Sequence, residues 1–185
     1  MHVSGKELVR KIKYETKKQA QNDDSVTAIN FDLQKVLITP KGRTTKFYNS
    51  RKLATYNFSI FDMANTTAIC NMWYETIANR GSNEIATCIY TYFQSVEPVN
   101  KLYMFSDACS GQQRNINFIA MCLYSVINLP IQRIEHLFFV KGHSQMEGDS
   151  VHACIEKATK HAEIFSPEEW MTAVRLSKKI ISHTR

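Results

Sequence analysis

The sequence predicts a single α/β domain built on a five-stranded mixed sheet, a three-strand antiparallel meander plus two parallel strands, flanked by helices. Three observations predict it. Residues 26–33, 53–61 and 66–76 are rich in β-branched and aromatic side chains and follow one another without an intervening helix, the pattern of a meander. From residue 83 onward, runs of helical period alternate with short apolar runs, and that alternation brings parallel crossovers. Finally, 185 residues with 44% hydrophobic positions can close one core and are short for two. The expected division is a helical extension over residues 1–24 and the domain proper over residues 25–185.

Each element has its own warrant. Residues 5–21 are strongly charged, with Leu8, Val9, Ile12 and Tyr14 giving a partial helical stripe behind a Ser4 N-cap, and Asn22, Asp23, Asp24 and Ser25 break it. In residues 26–33 an approximate alternation of Val26, Ala28, Ile29, Phe31 and Leu33 makes a strand that ends around Asp32. Thr39 to Arg43 reads as a loop. In residues 53–61, Ala54, Tyr56, Phe58 and Ile60 share one side of a strand and Leu53, Thr55, Asn57, Ser59 and Phe61 the other, so the aromatic side should face the core. Ile69, Met72, Trp73 and Tyr74 carry the third strand.

Arg80, Gly81, Ser82 and Asn83 mark a turn and cap, after which Ile85, Ala86, Ile89, Tyr90 and Phe93 recur at helical spacing until Glu97 and Pro98. Residues 102–105 are a short apolar run stopping at Ser106 and Asp107, the form of a buried central strand. Residues 112–128 carry Ile116, Ile119, Ala120, Leu123, Val126 and Ile127, an amphipathic helix halted by Pro130. Residues 134–140 make the last strand, Lys141, Gly142, His143 and Ser144 the turn beyond it, and residues 149–161 a helix. Ser166 with Pro167 opens the final helix.

Composition narrows the function. A formal charge of +6 and a pI near 9.1 favour a polyanionic partner, since cations that neutralise phosphates gain from counterion release. The excess sits in residues 6–18 and 35–52, and charge runs of that kind are usually solvated faces. No apolar stretch reaches the roughly 20 residues a membrane helix needs, and the N-terminus has no apolar segment of a secretory signal. An intracellular setting without membrane contact is expected. The five cysteines are scattered without metal-site spacing, which predicts buried free thiols in a reducing compartment.

Three acids hold special positions. Asp32 lies near the end of the first strand, Asp107 just past the fourth, and Asp149 at the start of the helix after the fifth. With the first and fourth strands as neighbours, these carboxylates converge, and they repel one another unless a hard cation such as Mg²⁺ or Mn²⁺ neutralises them. Two such ions would suit phosphodiester chemistry. Asp107 can also cap the turn through Gly111, Asp149 can be an ordinary N-cap, and Glu147 competes with it for the third place.

Gln112, Gln113, Arg114 and Asn115 form a polar run where a helix start favours phosphate, and Lys35 and Lys141 are further candidate contacts to substrate. His143 and His152 lie on either side of Asp149. Either can orient a water or bind metal, or be a satisfied structural histidine. Glu156, a further turn along, reads as solvated. Tyr48, Tyr56, Phe58, Trp73 and Tyr74 can stack bases, although strand packing is the expected role.

The segments Phe31-Asp-Leu-Gln, Tyr56-Asn-Phe-Ser, Trp73-Tyr-Glu, Arg80-Gly-Ser-Asn-Glu, Phe105-Ser-Asp-Ala-Cys-Ser-Gly-Gln-Gln-Arg-Asn and Gly142-His-Ser-Gln-Met-Glu-Gly-Asp-Ser-Val-His resemble a family of transposon-associated domains, RNase H-like nucleases of the DDE class. The resemblance runs from about residue 26 to residue 170. Its pattern is matched by Asp32, by Ser106 and Asp107 with Gly111, Gln112, Arg114 and Asn115, and by Gly142, His143 and Asp149; Gln113 stands where the family has Asn. The resemblance implies an RNase H-like fold, and Mg²⁺ or Mn²⁺ held by Asp32, Asp107 and Asp149. It implies cleavage or strand transfer on nucleic acid, DNA in the first place, in the nucleus. Because family members look like the C-terminal part of longer proteins, it also implies a Cys-rich or DNA-binding region upstream; a homodimer is the other partner expected. The alternative is a catalytically silent, domesticated transposase domain that binds nucleic acid or protein.

Overall fold

Asp23 carries the chain from helix to sheet: its Oδ1 accepts from the Ser25 amide at 2.9 Å and the Ser25 hydroxyl at 2.7 Å, a side-chain turn that offers the backbone an alternative to further helix. The computed structural model describes residues 5–42, 51–139, 146–177 and 180–184. The elements are α1 (Gly5–Asn22), β1 (Val26–Leu33), β2 (Leu37–Thr39), β3 (Leu53–Asp62), β4 (Thr67–Tyr74), α2 (Ser82–Gln94), β5 (Val99–Ser106), α3 (Ile116–Asn128), β6 (Ile131–Phe138), α4 (Glu147–Thr159), α5 (Pro167–Leu176) and β7 (Ile180–Thr184).

All strands join one sheet in the order β6-β5-β1-β3-β4-β7, with β2 paired to β3. β1, β3 and β4 form the antiparallel meander, while β5 lies parallel to β1 and β6 parallel to β5. Within β4-β3-β1-β5-β6, β3 alone therefore runs against the other four. This is the RNase H-like plan that the sequence predicts. The sheet has seven strands rather than five, because β2 pairs with residues 53–55 and β7 adds in parallel to β4. β2 is three residues long, too short to show a period.

Helices cover both faces. α1, α4 and α5 pack over a core that includes Val26, Ala28, Phe61, Val151, Ile155 and Trp170. On the other face α2 and α3 cover Ile29, Phe31, Phe58, Ile60, Ile89 and Phe118. The aromatic side of β3 faces the core as expected, and because the strand is covered on both sides Thr55, Asn57 and Ser59 are buried as well.

α3 is corrected in two respects. It begins at Ile116 rather than residue 112, because Asn115 caps it by accepting from the Phe118 amide at 3.1 Å. Its stripe also points outward, with Ile116 74%, Leu123 62% and Ile127 80% exposed, while Phe118 and Ser125 face the sheet. Residues 116–128 contain no charged side chain, so periodicity alone does not say which side meets the core. α5 starts as expected, with Pro167 at its first turn and the Ser166 hydroxyl accepting from the Glu169 amide at 3.4 Å. All five cysteines are free, but only Cys70 is buried and Cys154 is exposed, which corrects the expectation of buried thiols. Among the described residues no helix is long and apolar enough to cross a membrane.

Candidate metal centre

Strand register brings the acids to one end of the sheet. Asn30 on β1 lies beside Phe105 on the parallel β5, so two residues further along Asp32 comes level with Asp107. On its other side Asp32 faces Ser59 of β3. Alternation then turns Asn30, Asp32 and Ser59 toward α4, and Phe31 away from it.

Asn30 anchors the start of α4. Its Oδ1 accepts from the Gly148 amide at 3.3 Å, and its Nδ2 donates to Glu147 Oε2 at 2.7 Å. From that anchor, Asp149 falls at the third helical position, where its Oδ2 accepts from the Met146 amide at 3.0 Å, and His152 follows about one turn later. One carboxylate oxygen each from Asp32 and Asp149 and one ring nitrogen of His152 lie within 4.8 Å of one another.

The electrostatics of this set are those of anions without a counter-cation. Burial pushes the Asp32 carboxyl up to about 7, and the nearby charges of Asp107 and, less, Asp149 push the same way against a hydrogen bond from the Leu33 amide. Burial also raises Asp107, opposed by the Cys109 amide. Burial lowers His152 to about 4 against the pull of Asp149, so the imidazole is neutral near pH 7 and its 4.0 Å approach to Asp32 Oδ2 is not an ion pair. Ser59 Oγ donates to the Asp32 carbonyl at 3.3 Å and lies 2.7 Å from His152 Nε2. With the serine proton so placed, Nε2–H donates to Ser59, and the Nδ1 lone pair is directed at the carboxylates.

Two carboxylates and an unprotonated imidazole nitrogen are a donor set that fits a divalent cation, and the nitrogen shifts preference from Mg²⁺ toward softer ions such as Mn²⁺. The cost of the uncompensated Asp32 carboxylate is what such a cation would relieve.

The other candidates are spread around this set. Asp107 lies outside the compact group; Gln113, 3% exposed, donates from Nε2 to its Oδ1 and carbonyl. Glu147 is turned to α1. Burial alone would raise it, yet the Lys13 ammonium at 2.6 Å and Lys17 at 3.5 Å hold it below the usual glutamate range. Asn115 spends its amide on the cap of α3 and on the Ser110 carbonyl. Gln112 is half-buried, and exposed Arg114 lies 5.9 Å over the Phe138 ring. Lys35 is exposed just past β1, and Glu156 is exposed on α4. Tyr56, Phe58 and Trp73 are buried in the core rather than open to bases, and Tyr74 is half-buried. Lys141, His143 and Tyr48 lie outside the described residues.

Sequence reasoning missed Asn30, Ser59 and the hold of Gln113 on Asp107. The signal was present in β3: Thr55, Asn57 and Ser59 repeat on one side of a strand, which reads as a wet face until helices are known to cover both sides. Asn30, two residues before Asp32, shares its side of β1 for the same reason.

No family model and no curated protein matches the chain. Among solved structures it is similar to the human cytomegalovirus terminase nuclease domain, determined Mn-soaked and inhibitor-bound, at 10% identity over 92% of this chain and 77% of that one, with a TM-score of 0.33.

Proposed function

We propose that the protein is a divalent-metal-dependent nuclease of the transposase type, cleaving or transferring phosphodiester strands. The carrying observation is the convergence of Asp32, Asp149 and a ring nitrogen of His152 within 4.8 Å at the end of β1, where the Asp32 carboxyl is pushed to about 7. Asp32 and Asp149 hold the cation with His152. Asp107, on the neighbouring strand, would add a fourth donor through the carboxylate oxygen that Gln113 does not hold. A bound Mn²⁺ or Mg²⁺ supplies the Lewis acidity that phosphodiester cleavage needs. The chain's own part is to fix the donors: Asn30 sets the start of α4, and Ser59 sets the ring of His152. The +6 charge draws the nucleic acid in. The resemblance of the sequence motifs to transposase-type domains is what supports DNA as the nucleic acid and the nucleus as the setting.

A second reading, a silent domain that binds without cutting, is favoured by one observation: Gln113 already occupies an oxygen of Asp107. Labelled DNA and RNA oligonucleotides incubated with the protein in Mn²⁺, Mg²⁺ or EDTA separate the two. The nuclease reading expects Mn²⁺-dependent cleavage that Asp32→Asn and Asp149→Asn abolish. Absence of cleavage together with a melting temperature indifferent to Mn²⁺ would overturn it, since a ligand of the native state must stabilise that state.

A further inference from the structure

α1 carries two stripes. Val9, Ile12 and Ala20 pack toward the sheet, while Arg10, Lys13, Tyr14, Lys17, Lys18 and Gln21, at helical spacing along about 16 Å, line a groove of about 400 Å³. Across from the middle of this stripe the groove is lined by Glu147, two residues before Asp149.

We propose that this groove holds the phosphodiester backbone of the nucleic-acid strand that enters the metal centre, an inference that rests on the nuclease reading of that centre. Three features separate the groove from an ordinary solvated lysine face. Lys13 and Lys17 are only 13% and 31% exposed, held in the groove wall by Glu147 rather than swinging in solvent. Arg10 Nε is buried and has no hydrogen-bond acceptor among the described residues, so the guanidinium gains a partner by turning to a phosphate oxygen in the groove. Lys18 lies 4.5 Å over the ring of Tyr14, which is 60% exposed, so a cation and an open aromatic face stand side by side. That is the combination with which single strands are gripped, charge for the backbone and a ring for a base.

Glu147 has the wrong sign for a phosphate contact, but it offsets a single charge of the four cations. Its place is between Lys13 and Lys17, on the helix that carries Asp149. There it sets Lys13 and Lys17 and, through Asn30, fixes the start of α4, so that groove and metal centre share one anchor.

The test is anisotropy of a labelled single-stranded oligonucleotide with the full chain in EDTA, where binding is read without cleavage, repeated over a series of salt concentrations. Arg10→Gln with Lys18→Gln should weaken binding at least about tenfold and flatten the slope of log affinity against log salt by about 1.4, two phosphate contacts on a single strand. Lys18→Gln alone, at an exposed position, should give about half that change of slope without risk to folding. An unchanged affinity and slope in both variants would overturn the proposal, as would equal binding of a polyglutamate peptide of matched charge, which would assign the groove to acidic proteins. The two readings fail separately. Groove-dependent binding by a wild-type protein that never cleaves sinks the nuclease, whereas cleavage with an unaltered KM in the double variant sinks the groove.

Discussion

The two faces of the sheet are built on opposite principles. Against α2 and α3, the side chains of β1 and β3 are Ile29, Phe31, Tyr56, Phe58 and Ile60, and the rings of Phe31, Phe58 and Phe118 meet at 5.6 to 6.0 Å. One residue out of phase, against α4, the same strands offer Asn30, Asp32, Thr55, Asn57 and Ser59, all but Asp32 fully buried. Asn57 Nδ2 donates to Gln34 Oε1 at 2.9 Å, and Ser59 meets His152 at 2.7 Å. Thr55 Oγ1 and Asn57 Oδ1 have no partner among the described residues. An unsatisfied buried polar atom costs on the order of 1–3 kcal/mol. One face is thus apolar throughout, and the other, apolar around Ala28, Phe61 and Ile155, gives up stability over this polar patch to fix the position of a few groups, as proteins do at sites of function.

Substitution of the acid at the centre of the polar face should break that comparison most sharply. Asp32→Asn is expected to lower cleavage at least about a thousandfold, roughly 4 kcal/mol in the barrier. Stability should move the opposite way. In metal-free protein the folded state holds the Asp32 proton to about 7, against 3.8 for an ordinary aspartate, so stability is greatest in acid and falls as pH rises through that window. At pH 8 the carboxylate costs a few kcal/mol that the amide does not. Thermal melts in EDTA at pH 8 should show the variant more stable than wild type, with the order reversed or levelled by Mn²⁺. A variant less stable than wild type in EDTA would mean that the polar face is not strained.

On the apolar face the expectation is reversed. Phe118, 1% exposed, touches the rings of Phe31 and His136. Phe118→Ala should cost about 3–5 kcal/mol by denaturant titration, yet leave Mn²⁺ affinity of the folded fraction unchanged.

How far all this was legible in the sequence follows the same division. The apolar face was legible because Phe31, Phe58 and Ile60 alternate as strand residues should. The polar face was half legible. Asp32 and Asp149 stood out as acids at element ends, but Ser59 and Asn57 wore the pattern of a solvent-facing side, and a buried polar lining cannot be told from a wet one without knowing that α4 lies over it. Gln113 read as part of a phosphate-binding turn, whereas it lies folded inward on Asp107. The outward stripe of α3 was misjudged because residues 116–128 are apolar or neutral all round, and burial there is decided by the fit of Phe118 against Phe31 and not by period.

Acid should strike the apolar face at His136. Burial pushes His136 down to about 4, where its Nε2 meets Ser106 Oγ at 2.8 Å between the rings of Phe31, Phe118 and Phe138. A histidine depressed in the folded state contributes stability that is intact above its ordinary pKa of 6.5 and is lost as pH falls toward 4. The full loss is about 3 kcal/mol. Urea titrations between pH 7 and pH 4 should show it, and His136→Gln should flatten that limb. An unchanged limb in the variant would shift the acid sensitivity to His152 and the polar face.

The smallest effect tests whether the polar face positions or merely fills. Ser59→Ala removes the hydroxyl that accepts from His152 Nε2 and leaves the ring free to turn or change tautomer, so Nδ1 is no longer held toward Asp32. Loss of such a supporting group typically weakens metal binding by about 10–100-fold. Mn²⁺ titration followed by electron paramagnetic resonance should show a drop of that size in Ser59→Ala. Ser59→Thr, which keeps the hydroxyl, should restore most of it. A serine that only fills space would give the reverse order, since alanine fits the site and the extra methyl of threonine crowds Gly148, where even an added Cβ would lie 3.5 Å from Ser59 Oγ.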